Sequence, residues 1–395
     1  MEMNDIVVIS GARTPMGSFG GTLKDISAFQ LGGIAAKEAL KRANLGGGDL
    51  DDVILGSCRQ AGNGPNPARS AALLGGIPES VPAITLNMAC PSGMRALSMA
   101  AQSIRLGDAG VMLIGGFDSM STIPYLLKDA RWQGFKMGNK VLMDGWSDSI
   151  DPVSNMGMGQ TAENLVEKYD LSREEMDEFA YSSHQKAAEA QDKGLFDEEI
   201  VSVEVPQRKA DPIIFSKDET IRRSTTLEKL ARLPAVFKKD GKITAGNACG
   251  MSDGAVAMVV TSREKASELG AKPLFSIQSF SQLAVEPGVM GDGPGVSIPA
   301  ALENAGKTLN DMDFIEVNEA FAAQIVANEK VLKWDRSKLN VHGGAIALGH
   351  PTGISGARII LTLYHVLKSN DGEFGVAGIC GGGGVTMATV IKRES

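Results

Sequence analysis

The sequence predicts an α/β protein, a mostly parallel sheet covered by helices and arranged as two similar βαβ-rich halves with an insertion between them. Three observations carry this. Short apolar runs alternate with amphipathic stretches from residue 6 to residue 116, and the same succession returns from about 273. Between the two lies a longer, charged and irregular segment. Alternation of strand and helix signals is the mark of a sheet whose parallel strands are joined by crossover helices. At 395 residues and 43% hydrophobic, the chain is long enough to bury more than one core.

In order, "DIVVIS" reads as a buried strand, "SAFQLGGIAAKEALKRANL" as an amphipathic helix and "DDVILGS" as a second strand. "NPARSAALLGG" is a short helix and "AITLN" a strand; residues 91–106 form a helix stopped by Gly107, and "VMLIGG" is a strand. The recurrence runs "PLFSIQSFS" strand, "SIPAALENAG" helix, "DFIEVN" strand and "EAFAAQIVANEKVL" helix. A helix over 353–368 and the strands "FGVAGIC" and "VTMATVIK" close the chain. The repeat lies in the order of elements and not in the residues. The expected units are residues 1–119 with 251–272, an inserted segment 120–250, and residues 273–395. Within the insertion, Ser172 and Glu175 have the spacing of a capping box at the start of a polar helix.

Composition excludes several functions. A net charge of −8 and a pI near 5.2 oppose a nucleic-acid binder, which needs a basic face. The four cysteines, 58, 90, 249 and 380, have no metal-ligand or disulfide-framework spacing, so reduced thiols and no metal are expected. No apolar run approaches a membrane span, and no leader or targeting tail is read; the expected setting is cytoplasmic. One local anomaly stands out. Residues 208–242 hold ten Lys/Arg against five Asp/Glu, which suits either a solvated loop surface or a landing site for a phosphorylated ligand.

The chemistry centres on Cys90, which stands between a strand and a helix with Pro91 in its first turn. A thiol at a helix N-terminus is expected to have a lowered pKa and to act as a nucleophile, against the bland reading of a small buried hydrophobe. It needs a base. His184 and His365 lie on helices and read as structural. His350, in "GGAIALGHPTGISGAR", sits between glycine-rich turns, and His342 just before it could support it from behind. Cys380 ends a strand and enters "GGGG", where backbone N–H groups can face an oxyanion. Two thiols, one imidazole and glycine-lined corners suggest acyl transfer through a thioester.

"NMACPSGMRAL", "GGFDSMS", "TAENL", "TAGNACGMSDGA", "EVNEAFAAQ", "GGAIALGHPTGISGAR" and "CGGGGV" follow one another over nearly the whole chain. With "GARTPMGSFGG" near the start, they make the sequence resemble the thiolases of the acetyl-CoA acetyltransferase type. The resemblance implies a layered fold of two α/β halves with 120–250 as a loop domain over the active site. It also implies a homotetramer built as a dimer of dimers, and CoA thioesters as substrates without a permanently bound cofactor or a membrane partner.

Carried onto this sequence, the resemblance makes Cys90 the acyl-accepting nucleophile, His350 its activator and Cys380 the acid or base at the substrate carbon. Asn318 would hold a water for one oxyanion site, and the N–H groups of Cys90 and Gly382 would form the other. Arg222 falls near the CoA nucleotide and Cys249 at the pantetheine contact. Met158, Met290, Phe321 and Phe237 fall along the acyl and pantetheine channel. The chain departs from the family where Cys249 replaces a common serine, His342 a common asparagine, Gly157 a frequent histidine beside the acyl pocket, and Pro91 a small residue.

The expected activity is acetoacetyl-CoA + CoA ⇌ two acetyl-CoA. The alternatives are a 3-ketoacyl-CoA thiolase for longer chains, a condensing ketosynthase, and a non-catalytic acyl-CoA or lipid-binding protein.

Overall fold

The computed structural model describes residues 2–128 and 130–394. The first half contains β1 (Ile6–Arg13), α1 (Ala28–Ala43), β2 (Asp52–Gly56), α2 (Pro67–Leu74), β3 (Ala83–Leu86), α3 (Ser92–Leu106) and β4 (Val111–Ser119). The middle of the chain supplies α4 (Met158–Lys168) and α5 (Arg173–Asp192). Then come β5 (Ser252–Ser262), β6 (Phe275–Ala284), α6 (Gly293–Asn304), β7 (Phe314–Val317), α7 (Ala322–Leu332), α8 (Ser355–Ser369), β8 (Phe374–Cys380) and β9 (Val385–Arg393). The strands lie in the order β7-β8-β9-β6-β1-β5-β4-β2-β3, with the two-residue strand Gly17–Ser18 paired to β5.

The sheet is mixed, which corrects the mostly parallel expectation. Only β2·β3, β2·β4 and β7·β8 run parallel; the centre is antiparallel. The reason is that neither β5 nor β9 comes from a βαβ crossover: β5 returns from the long middle segment, and β9 from a turn. β9 follows β8 through the tight Gly381–Gly384 turn, which leaves no chain for one. The pairing order repeats: β2-β4-β5-β1 and β7-β8-β9-β6 are each one parallel pair followed by two antiparallel pairs.

Strand alternation sorts the core into layers. Ile6, Val8, Met112, Ile114, Met258 and Val260 face the same interior as Ile277, Ile379, Met387 and Ile391 of the second half. Between them lie α3 and α8. The opposite faces carry α1 and α2 on the first half and α6 and α7 on the second. Strands β1, β4 and β5 are buried along their whole length, which explains why they read as continuous apolar runs. Helix ends follow local chemistry: Gly107 closes α3 at φ 81°, and Ser172 and Glu175 cap α5 reciprocally. The insertion is fastened to β1 by buried Arg13, which pairs with Glu199 and Asp218, each at 2.7 Å. Among the described residues, no helix is long and apolar enough to cross a membrane.

Two glycines set the distance between the central helices. A Cβ on Gly93 would lie 2.8 Å from the backbone nitrogen of Ala357, and one on Gly356 2.7 Å from that of Met94. Backbone meets backbone, so neither position tolerates a side chain without moving a helix. We expect Gly356→Val to destabilise the fold by about 3 kcal/mol. Denaturant unfolding checks this, and an unchanged midpoint contradicts the packing argument.

Candidate active site

Cys90 sits on a strained corner. After β3, Ala89 adopts φ 53°, a left-handed conformation that costs alanine on the order of 1 kcal/mol. Ser92 holds the turn: its Oγ accepts the Met88 N–H at 2.8 Å and donates to the Ala89 carbonyl at 2.6 Å. Pro91 is the N-cap, so α3 begins at Ser92.

The N-terminus of α8 faces this corner. His350 Nε2 lies 3.2 Å from Cys90 Sγ, and its Nδ1 lies 2.6 Å from Ser355 Oγ. Ser355 donates its one proton to the Pro351 carbonyl at 3.1 Å. Its Oγ therefore accepts from Nδ1–H, which leaves the Nε2 lone pair aimed at the thiol. This is the arrangement in which an imidazole takes a thiol proton.

Two buried carboxylates inside the recognised motifs hold the loops in place. Asp118 accepts N–H groups from Cys58, Arg59 and Gly353 and the Thr352 hydroxyl, which ties the loop after β2 to the loop carrying His350. Glu319 accepts the Ser183 hydroxyl, the Asn340 amide and the Ile346 N–H. Neither residue, nor Ser355, stands out in the sequence. Asp118 lies in "GGFDSMS" and Ser355 in "GHPTGISGAR", so the signal was present but carried no role.

Cys380 is the last residue of β8, buried, and paired in register with Thr386. The glycine turn beyond it folds back on the Cys90 corner. A Cβ on Gly381 would lie 2.5 Å from Pro91 Cδ, and the Gly382 N–H is near enough to favour a thiolate at Cys90. Gly383 and Gly384 complete the turn at φ 78° and 85°, conformations that favour glycine. Asn318 is fully buried just after β7, and among the described residues both its amide atoms lack a hydrogen-bond partner. A buried amide left in this way suits a ligand or an ordered water.

Met158, at the start of α4, reaches 3.3 Å from the Cβ position of Gly382. Phe237 stacks edge-on to Phe321 at 6.2 Å and lies on Gly159, where a Cβ would overlap its ring. Met290 is buried in the short turn Pro287–Asp292. Nothing lies within 4 Å of a Cβ on Gly157.

The electrostatics correct one expectation. Burial pushes the Cys90 thiol up to about 12, with the neighbouring Cys380 and Cys249 adding to the shift and Gly382 N–H and Arg59 opposing it. The dipole argument fails because Cys90 precedes the N-cap and the field fades outside the first turn. Burial likewise raises Cys380 and Cys249 to about 12 and lowers His350 to about 3. The resting pair is thus neutral thiol and neutral imidazole.

Cys249 bonds through its N–H to the Ala320 carbonyl at 3.1 Å, and it lies near enough to Cys90 and Cys380 for a thiolate there to oppose theirs. Arg222 is exposed, and its backbone N–H donates to His184 Nδ1 at 3.1 Å. His184 therefore positions the Arg222 loop, a role its place on a polar helix did not reveal. His342 packs edge-on against Phe196 and makes no hydrogen bond with the Cys90–His350 pair. Part of the basic excess at 208–242 is already engaged: Arg223 pairs with Asp192 and Lys238 with Glu167. Among the described residues, no cluster of His, Cys, Asp and Glu is placed to hold a metal ion.

The family model for the thiolase N-terminal domain matches residues 6–264, and that for the thiolase C-terminal domain matches 271–393. This chain belongs to the thiolase family. A probable acetyl-CoA acyltransferase of Staphylococcus epidermidis is 50% identical over 393 residues, covering 99% of each chain. The Bacillus anthracis acetyl-CoA acetyltransferase structure superposes with a TM-score of 0.97 at 43% identity, covering all of both chains. Human mitochondrial 3-ketoacyl-CoA thiolase gives a TM-score of 0.95 at 41% identity, covering 98% of this chain and 99% of that one. The thiolase is accordingly an acyltransferase with the layered α/β fold of its family.

Replacing Ser355 with alanine frees the imidazole to turn or change tautomer. We expect Ser355→Ala to lower the thiolase's kcat about 10- to 100-fold with little change in KM; steady-state kinetics checks this. His184, held at about 4 by burial with Arg222 adding to the shift, gives a pH test. It is neutral when folded but protonates near 6.5 once unfolded, so its contribution is intact above pH 6.5 and falls as pH drops toward 4. Between pH 7.5 and 4.5, wild type should lose about 2–3 kcal/mol relative to His184→Gln. Denaturation of both proteins across that range reads the difference.

Proposed function

We propose that this thiolase interconverts acetoacetyl-CoA + CoA and two acetyl-CoA through an acetyl-Cys90 intermediate. The observation that carries the reading is the 3.2 Å contact between Cys90 Sγ and a His350 Nε2 whose lone pair is fixed by Ser355. His350 takes the Cys90 proton as sulfur attacks the 3-oxo carbon. The C2–C3 bond then breaks, and Cys380 gives its proton to the departing enolate of acetyl-CoA. The incoming CoA thiol restores the Cys380 proton, and its sulfur displaces the acetyl group from Cys90. The Cys90 sulfur then recovers its own proton from His350. Each proton returns to its source.

Charge on the reacting oxygens falls to two sites. The N–H groups of Cys90 and Gly382 serve the thioester oxygen on Cys90. The imidazolium N–H of His350, with a water held by Asn318, serves the other. Donors of this kind are each worth about 10²–10³ in rate. Arg222, Cys249, Phe237 and Phe321 form the CoA path in this reading, and Met158 and Met290 the acyl pocket.

A second reading, thiolysis of longer 3-oxoacyl chains, is favoured by the open space at Gly157 next to Met158 and by the likeness to human 3-ketoacyl-CoA thiolase. Comparing acetoacetyl-CoA with 3-oxooctanoyl-CoA separates the two.

Incubation with acetyl-CoA should add about 42 Da to Cys90, and Cys90→Ser should abolish turnover while leaving CoA binding near normal. Cys380→Ser should still become acetylated but scarcely condense. Tight binding of acetyl-CoA with no adduct on the wild-type protein identifies a non-catalytic acyl-CoA binder instead.

A further inference from the structure

Asn318 holds a water in the reaction proposed above, and its amide has to be aimed. Among the described residues neither amide atom has a hydrogen-bond partner, and the side chain is fully buried. Its direction therefore comes from the backbone that carries it, between Val317, the last residue of β7, and Glu319. β7 is the edge strand of the sheet, paired with β8. A strand edge leaves N–H and C=O groups without a ladder, and buried ones must be satisfied by other means.

One amide supplies them. Asn340 Oδ1 accepts the Val317 N–H at 2.8 Å, and Nδ2 donates to the Val317 carbonyl at 2.9 Å. The same Nδ2 donates to Glu319 Oε1 at 2.8 Å. Both neighbours of Asn318 are thus gripped by a single buried side chain. Its own backbone is anchored as well. The Asn340 N–H donates to the Ile315 carbonyl at 2.9 Å, and φ is 43°, a left-handed conformation that asparagine tolerates better than most residues. The second oxygen of Glu319 accepts the Ser183 hydroxyl at 2.6 Å and the Ile346 N–H at 3.1 Å. Ile346 lies in the short helical turn Ala345–Leu348, and Gly349 and His350 follow directly. A Cβ on Gly344 would overlap the Glu319 carboxylate, so this junction is closed to any larger residue.

We propose that Asn340 is the positioning residue of the Asn318 oxyanion site: it fixes the loop that aims the Asn318 amide and, through Glu319, ties that loop to the segment carrying His350. This rests on the thiolase reaction proposed above. In that reaction the Asn318 water and His350 serve the oxygen of the departing enolate, whereas the N–H groups of Cys90 and Gly382 serve the thioester oxygen on Cys90. Loss of Asn340 therefore slows the making and breaking of the carbon–carbon bond and spares transfer of the acetyl group between Cys90 and CoA.

Two assays on the whole enzyme read these steps separately. Thiolysis of acetoacetyl-CoA needs both oxyanion sites, and exchange of labelled CoA into acetyl-CoA needs only the one at Cys90 and Gly382. Asn340→Gly keeps the left-handed backbone and removes the amide. It should lower kcat for thiolysis about 10- to 100-fold, the scale of losing a group that orients a catalytic side chain, while exchange stays within about threefold of wild type. Asn340→Asp keeps the acceptor for the Val317 N–H and loses both donated bonds. It should show the same selective loss, and it carries the test if the glycine variant does not fold. In an Asn318→Ala background, Asn340→Gly should cost thiolysis no more than about twofold further, because a residue that acts through Asn318 then has nothing left to orient. Equal losses in the two assays reduce Asn340 to a general tie in the fold and overturn the proposal. Unchanged thiolysis, or full additivity with Asn318→Ala, overturns it as well. If wild type performs neither thiolysis nor exchange, the reaction itself is wrong and this inference falls with it.

Discussion

The site depends on the backbone-to-backbone contact between the first turns of α3 and α8. Gly93 and Gly356 each occupy the space that the other helix needs, so the two N-termini meet at less than side-chain distance. Cys90 precedes one helix and His350 the other. Their 3.2 Å contact across 260 residues of sequence is a consequence of that packing. The two helices fill equivalent places in the two halves, buried between sheet faces that supply one shared core. A close-packed interior cannot shift by fractions of an ångström without loss, so the same packing that stabilises the molecule fixes the Cys90–His350 geometry.

Burial then sets the charge state. Three thiols and an imidazole share a space that opposes ions, and all are neutral at rest. In the reaction proposed above, ionisation is driven by a substrate that brings its own developing charge to the N–H donors. Preorganised donors in a dry site act more strongly than the same groups in water. Two of the buried carboxylates, Asp118 and Glu319, are committed to holding the loops around this space. Neither is left free to neutralise the site.

Much of this was legible in the residues. Cys90, His350 and Cys380 stood out because a thiol at a helix mouth, a histidine among glycines and a thiol entering a glycine turn are each unusual in a chain with few cysteines and histidines. The recognised motifs extended that set to Asn318 and Gly382. Ser355 and Asp118 lay inside the same motifs but went unread, since a serine or aspartate signals nothing until its partner is known. His184 read as a structural residue on a polar helix, and only the fold shows that it accepts from the Arg222 N–H. The direction of strand pairing was also misjudged. Apolar runs show that a strand is buried on both faces and are silent on which way its neighbour points.

What the sequence determined by itself was local: the alternation of elements, the helix ends at Ser172 and Gly107, the glycine turn after Cys380, and the candidate status of a few thiols and one histidine. These follow from interactions within a few residues of one another, which a pattern along the chain can display. Tertiary structure decided which of four cysteines and four histidines meet, which tautomer His350 adopts, and that burial outweighs the helix field at Cys90. Each of these depends on distance between groups far apart in sequence and on how much water remains around them, and both quantities exist only once the chain has packed.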